Sequence, residues 1–445
     1  MDIFKAYDIR GIYGKNLTDD IALEIGKSLG TFLGGNKDVC IGFDTRSSSP
    51  NLFNSLASGL ISTGCNVIPL GMVPNPVSYF FAWKNKMYGC YVTASHNPAK
   101  WNGIKIFKPN GVSFIEETKS IENIFNSKNF LSGEGKLKEE RGAIKNYTNF
   151  LKNKLGKLKG KIVVDFLGGA GLTASETFKK IGLDIIPLHD KPDASLYGFH
   201  KLEPLGSLLN SARRTVKKEK ADFGVVFDCD ADRSIFIDPS GTYLNPSVMN
   251  AVFIEFILER KKTGEGKVIS TYDCASELEK FTKDHGGSLI WWRVGHGFIE
   301  QKCLEEKALF AGEQSSHFFF NEIYPFSDGI LSTLYLAKIL NETGKSLDEL
   351  VNRVKLHPVE KVYIDAETDK KKDKAVEELK KDFPNSTDVM DGFKIKLNDI
   401  EWVLIRSSQT LPEINLCAEG KSEKRLKEIV QKYSNLINRK LRRIK

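Results

Sequence analysis

The sequence is poor in paired cysteines and in long apolar runs. Its seven cysteines, at positions 40, 65, 90, 229, 274, 303 and 417, are odd in number, and no two stand in Cys-x-x-Cys spacing. A disulfide scaffold and the common zinc spacings are thereby excluded, and a reducing, cytoplasmic setting is predicted. No stretch approaches the roughly 18 uncharged apolar residues of a membrane span, so none is predicted. The opening Met1-Asp2-Ile3-Phe4-Lys5 is followed by no long apolar run, and no signal peptide is predicted. An arginine-rich arm and an aromatic RNA-binding signature are also missing, which argues against nucleic acid as a partner. The net charge of +8 then suits an anionic small molecule. The basic run Arg439-Lys440-Leu441-Arg442-Arg443 closes an amphipathic stretch starting near Lys421 and reads as a terminal helix with a solvated face.

What is present is ordinary globular material in quantity. The chain has 445 residues, 41% hydrophobic and 27% charged. At roughly 100–200 residues per domain, that makes three or four domains.

A loose internal repeat organises most of the length. Each copy has an aliphatic strand ending in a polar loop, a helix, a second strand, and a third strand that ends in a polar loop. The first copy runs through Asp38–Phe43, Asn66–Leu70 and Gly89–Thr93. The second uses Lys161–Val164, Asp184–Leu188 and Phe223–Phe227, and the third Lys267–Ser270, Ser288–Trp292 and Ala308–Ala311. Short apolar strands alternating with helices predict parallel α/β layers buried on both faces. Ligands in such sheets gather beyond the carboxyl ends of the strands. The tail from about residue 358 breaks the pattern and reads as a smaller α+β domain. The predicted division is 1–146, 147–245, 246–357 and 358–445.

Three third-strand loops carry chemistry. In Asp228-Cys229-Asp230-Ala231-Asp232-Arg233, carboxylates two apart point the same way. They repel one another unless a cation sits among them. All-oxygen ligands select a hard ion, Mg²⁺ over Zn²⁺. A calcium EF-hand is excluded, because Arg233 stands where that loop needs Gly and Pro239 where it needs Glu. Cys229, a soft thiol, reads as a spacer. Ser95 lies in Thr93-Ala94-Ser95-His96-Asn97-Pro98, and a serine hydroxyl needs a metal or base to become a nucleophile. Glu313, Ser315 and His317 offer groups for sugar hydroxyls. In the tail, Arg406, Ser408 and Thr410 offer a donor fork and two hydroxyls, as in a phosphate cradle. Asp165-Phe166-Leu167-Gly168-Gly169-Ala170-Gly171 lacks full dinucleotide spacing and reads as a tight strand-to-helix turn.

In this order, the four loops and the opening Lys5-Ala6-Tyr7-Asp8-Ile9-Arg10-Gly11 resemble the α-D-phosphohexomutase family, in its phosphomannomutase/phosphoglucomutase branch. The resemblance spans nearly the whole chain. It implies four domains around a central cleft, and interconversion of hexose 1-phosphate and hexose 6-phosphate through a phosphoserine and a 1,6-bisphosphate intermediate. It implies Mg²⁺ held by Ser95, Asp228, Asp230 and Asp232, and hexose 1,6-bisphosphate as activator. Arg10 and Lys105 match family positions near the transferring phosphate, with His96 beside Ser95. Arg233, His296, Glu313, Ser315, His317, Arg406, Ser408, Gln409 and Thr410 are expected to bind substrate, His296 and His317 also being candidates for proton transfer. A monomer or homodimer is expected. The chain departs from the family at Ser316, commonly Gly, and at Gln409, Leu411 and Asn415 of the phosphate loop. Two other readings stand beside this one: a phosphoglucosamine mutase, suggested by Gln314, and a non-catalytic sugar-phosphate-binding relative, suggested by the altered phosphate loop.

Overall fold

A computed structural model describes the chain except for residues 1–2, 140–141, 196, 198–205, 262–265, 410 and 445. The chain divides into two compact units, Met1–Leu244 with Ser316–Leu350, and Asn245–Ser315 with Val351–Lys445.

The first unit holds two mixed sheets. One is built from β1 (Asp8–Ile12), β2 (Asp38–Phe43), β3 (Asn66–Met72), β4 (Tyr88–Val92) and β5 (Trp101–Phe107), in the order β1-β5-β4-β2-β3. Strands β3 and β4 flank β2 in parallel, and β5 runs antiparallel to β4 and β1. The other is built from β6 (Lys161–Asp165), β7 (Asp184–Leu188), β8 (Phe223–Phe227) and β9 (Ser234–Ile237), in the order β7-β6-β8-β9. Here β7 and β8 flank β6 in parallel and β9 is antiparallel. The parallel strands β2, β6 and β8 are apolar and buried along most of their length, as strands covered on both faces are.

The second unit repeats the parallel core. Strands β10 (Gly266–Thr271), β11 (Gly287–Trp292) and β12 (Phe310–Gly312) lie in the order β11-β10-β12, all parallel. Each copy thus places its first strand centrally, its second on one side and its third on the other. The third strand of this copy starts later than its apolar run. Ala308 N–H still bonds back to Cys303 O of the preceding helix, so only Phe310–Gly312 is strand. The tail forms a different layer. Val359–Asp365 pairs antiparallel with Glu413–Glu419, followed by Trp402–Ser407, Gly392–Lys396 and Thr387–Asp388. Helix Glu423–Arg443 lays Leu426, Ile429, Tyr433, Ile437 and Leu441 on this sheet's core. Its spacing of three and four gives one apolar stripe, and its last turn carries Lys440, Arg442 and Arg443, as expected for a solvated face.

All seven cysteines are free and buried. Among the described residues no helix is long and apolar enough to cross a membrane.

Candidate active site

Strand β4 delivers Ser95 at the carboxyl edge of the first sheet. The turn is closed by Asn97 N–H on Ala94 O at 3.0 Å. Ser95 itself has φ 49°, a left-handed conformation that a non-glycine residue holds only when its surroundings over-determine it. They do so here. Ser95 N–H donates to Thr93 Oγ1 at 2.7 Å, and Thr93 Oγ1 donates to Asp44 Oδ2 at 2.7 Å. Arg46, buried at the end of β2, donates to the carbonyls of Ser95 (2.6 Å), Asn97 (2.7 Å), Pro98 (2.8 Å) and Trp101 (3.0 Å). Its Nε donates to Asp44 Oδ2 at 3.1 Å. Sequence reasoning missed Asp44, Arg46 and Thr93. The available signal was position: Asp44-Thr45-Arg46 ends a central strand at the same edge as Ser95.

Strand β8 delivers the aspartates. Asp228, Asp230 and Asp232 are buried, and one oxygen from each lies within 4.8 Å of the others. Ser95 Oγ donates to Asp228 Oδ2 at 2.8 Å, so the serine and the acidic loop meet. Lys105 on β5 reaches Asp232 Oδ2 at 2.6 Å and Asp230 Oδ2 at 2.9 Å. Asn75 donates to Asp232 Oδ2 at 2.9 Å, and the Arg233 backbone N–H to Asp228 Oδ1 at 3.3 Å. Arg233 Nε donates to His317 Nε2 at 3.3 Å, and that nitrogen lies 3.2 Å from Asp232 Oδ1. Cys229 faces away, with Sγ 3.6 Å from Asp44 Oδ2, in keeping with a spacer. The turn after β6 is also structural: Leu167 (φ 47°) and Gly168 (φ 67°) make a tight bend, and Ala170 N–H braces Cys229 O at 2.7 Å.

Electrostatics mark this loop as a cation site. Burial, then repulsion from Asp230 and Asp232, hold the Asp228 carboxyl well above the usual range, against the pull of Arg233 and His317. Burial alone lowers the Lys105 ammonium, but Asp230 and Asp232 outweigh it and hold its pKa above the ordinary value. Among the described residues, Asp230 Oδ1 is buried with no hydrogen-bond partner. An acceptor-only oxygen left bare among three convergent carboxylates fits a hard divalent ion. Arg10 on β1 is buried as well. Its Nε and Nη2 each approach Asp8 Oδ2 at 2.9 Å, while Nη1 is buried without a hydrogen-bond partner among the described residues. His96 Nδ1 is 3.4 Å from Ser95 Oγ.

The remaining predicted residues lie in the second unit. Glu313 Oε1 accepts from Gly295 N–H at 2.8 Å, and Glu313 Oε2 accepts from Ser315 Oγ at 3.1 Å, so the pair sits side by side. His296 begins the helix His296–Glu306, with Nδ1 3.2 Å from Glu300 Oε1. Arg406 is not a free fork: Nη1 donates to Asp391 Oδ2 at 2.9 Å. Ser408 Oγ accepts from Leu411 N–H at 3.3 Å, and Ser408 O accepts from Lys372 Nζ at 2.8 Å. Gln409 Oε1 is buried without a hydrogen-bond partner among the described residues. Thr410 lies outside the described residues.

Three family models match in chain order: phosphoglucomutase/phosphomannomutase alpha/beta/alpha domain I over residues 1–132, domain II over 143–241 and domain III over 245–356. The chain belongs to the phosphoglucomutase/phosphomannomutase family. It is an isomerase of the α-D-phosphohexomutase superfamily, with three α/β/α domains and a further C-terminal domain. It is 32% identical to a phosphoglucomutase/phosphomannomutase of Thermococcus kodakarensis, covering 99% of each chain. It is 34% identical to a "Probable phosphoglucosamine mutase" of Methanothermobacter thermautotrophicus, covering 96% of each. A solved phosphoglucomutase/phosphomannomutase family protein from Burkholderia thailandensis superposes with TM-score 0.84 at 27% identity, covering 98% of this chain and 97% of that one.

Proposed function

We propose that this phosphohexomutase interconverts the 1- and 6-phosphates of mannose and/or glucose, with Ser95 carrying the phosphoryl group. The observation that carries the reading is the 2.8 Å contact of Ser95 Oγ with Asp228 at the mouth of the buried triad. Asp228, Asp230 and Asp232, with an oxygen of phospho-Ser95, are the ligands proposed for Mg²⁺. When bound, the ion supplies positive charge against the charge that builds up on the phosphoryl oxygens. In the first transfer the P–O bond to Ser95 breaks as a bond forms to the free sugar hydroxyl, whose proton departs. The 1,6-bisphosphate then turns end for end and returns its other phosphoryl to Ser95, which makes added hexose 1,6-bisphosphate an activator. Arg46 fixes the turn that aims Ser95. Lys105 and Arg10 bring buried positive charge to the same loop, where positioning and charge dominate catalysis. His96, His317 and His296 are the proposed proton handlers. Glu313 and Ser315 are assigned to sugar hydroxyls, and Arg233, Arg406, Ser408, Gln409 and Thr410 to substrate phosphate.

A phosphoglucosamine mutase is the second reading, because relatives bear that name. Gln314 does not favour it: its amide is occupied within the fold, Oε1 by Ser247 Oγ at 2.7 Å and Nε2 on Asn245 Oδ1 at 3.1 Å. Turnover of mannose, glucose and glucosamine 1-phosphates side by side, with Mg²⁺ and a trace of bisphosphate, decides between them. Ser95→Ala is expected to lose more than about 10³-fold in turnover. Multiple turnovers by that variant refute the phosphoserine mechanism.

A further inference from the structure

A second cluster of metal-binding groups lies in the second unit, far along the chain from Ser95. One ligand atom each from Glu277, His357 and Glu419 falls within 4.8 Å of the others. Three pieces of chain meet there. Glu277 stands immediately before the helix Leu278–Asp284, making no side-chain capping bond to it. Glu419 ends the strand Glu413–Glu419 and stands opposite Val359 in register, two residues after His357. That pairing sets the segment entering the C-terminal sheet beside the end of its neighbour.

The groups are oriented as ligands are. Glu419 is fully buried, and its carboxylate is fixed by Ser276 Oγ at 2.7 Å, Ser276 N–H at 3.2 Å and the Trp402 indole N–H. Outer hydrogen bonds of this kind hold a ligating carboxylate in place. Glu277 Oε2 accepts from His357 N–H at 3.3 Å, which leaves Oε1 facing the imidazole. His357 Nδ1 is shut off from solvent and lies in direct contact with Glu277 Oε1, so the two groups already meet where an ion would bind. Lys394, on the neighbouring strand Gly392–Lys396, turns its ammonium to Tyr272 O at 3.2 Å and to the Trp402 ring at 3.6 Å. Two carboxylates and an imidazole nitrogen together make a donor set for one divalent cation. Glu277 and His357 are only partly buried, so an ion can enter. The imidazole sets this cluster apart from the all-oxygen aspartate loop, because nitrogen ligands favour borderline first-row ions over Mg²⁺.

We propose that Glu277, His357 and Glu419 bind one first-row transition-metal ion of the Zn²⁺ class, with water completing the coordination. The ion joins the head of a helix, the entry to the C-terminal sheet and the end of a central strand of that sheet. Its place is therefore structural, holding the C-terminal layer to the helix it adjoins.

Co²⁺ is the probe, titrated into the full-length, chelator-treated protein in millimolar Mg²⁺, by calorimetry and visible absorption. The wild type is expected to bind one equivalent that Mg²⁺ does not displace, and to gain thermal stability with it. His357→Ala and Glu277→Gln are each expected to weaken that equivalent by about 100-fold or more, as loss of a protein ligand does. Glu277 is partly exposed, and its amide variant keeps the shape if the alanine variant folds poorly. The same Co²⁺ stoichiometry and affinity in wild type and both variants, or complete displacement by Mg²⁺, overturns the proposal and leaves a His357–Glu277 ion pair only. Neither result bears on Ser95 turnover, which is measured separately.

Discussion

Ser95 stands in a left-handed conformation, buried, with its hydroxyl on a buried carboxylate, and none of this is intrinsic to serine. The strain is held by Arg46, whose guanidinium spans four carbonyls of the turn. A lysine there keeps the charge but loses the planar fork. Arg46→Lys is therefore expected to strand two or more buried carbonyls at about 1–3 kcal/mol each. Thermal unfolding should report that loss, and kcat should fall at least about tenfold as the serine loses its aim. Unchanged kcat with lowered stability would separate folding from positioning and refute the second role. Ser95 and the three aspartates were legible because each motif is contiguous and follows an apolar strand. Arg46 was not, because its partners lie some fifty residues away and are main-chain atoms, which leave no side-chain pattern. The contact of Arg406 with Asp391 was hidden for the same reason, since Asp391 belongs to another strand connection.

At the scale of elements, the repeat was readable because parallel strands buried on both faces are continuous apolar runs, whose order fixes the topology. The antiparallel strands β5 and β9 gave no such signal. β9 is only Ser234–Ile237, and β5 interrupts its apolar run with Lys105, which turns inward to the aspartates. Nor did the sequence reveal how the helix Gly329–Thr343 supports the metal loop. Gly329 N–H donates to Ala231 O at 3.1 Å, and a Cβ at 329 would meet Arg233 O at 2.7 Å and Ala231 O at 2.9 Å. Both atoms are backbone, so the loop itself must move. Gly329→Ala is expected to cost about 1–3 kcal/mol of stability through overpacking. It should also raise the Mg²⁺ concentration for half-maximal turnover several-fold while Ser95 stays in place. A Mg²⁺ titration of turnover checks this, and an unshifted midpoint refutes the support role.

At the scale of the whole molecule, net charge pointed to a protein handling a small anion, and the family match agrees. Burial was the quantity they could not supply, and it governs how stability responds to pH. Asp328 shows this most clearly. It is fully buried, caps the helix Gly329–Thr343 by accepting from Leu331 N–H at 2.8 Å, and accepts from the Tyr147 and Tyr324 hydroxyls at 2.6 and 2.7 Å. Burial pushes its carboxyl up to about 6, although the tyrosines and the helix N–H groups pull the other way. A folded-state pKa above the unfolded one means the native state binds the extra proton. Asp328 therefore adds stability below about pH 4, and that contribution is lost as pH rises toward about 6. The shift of about two units corresponds to roughly 3 kcal/mol over that window. Asp328→Asn cannot titrate and keeps an oxygen for Leu331. The measurement is the difference in unfolding free energy between wild type and Asp328→Asn at a series of pH values from 4 to 7. Other carboxylates and histidines cancel in that difference. Wild type should lose stability relative to the variant as pH rises through the window. A difference that is flat, or that grows in favour of wild type, means Asp328 is ionised in the folded protein and its network is an ordinary charged helix cap.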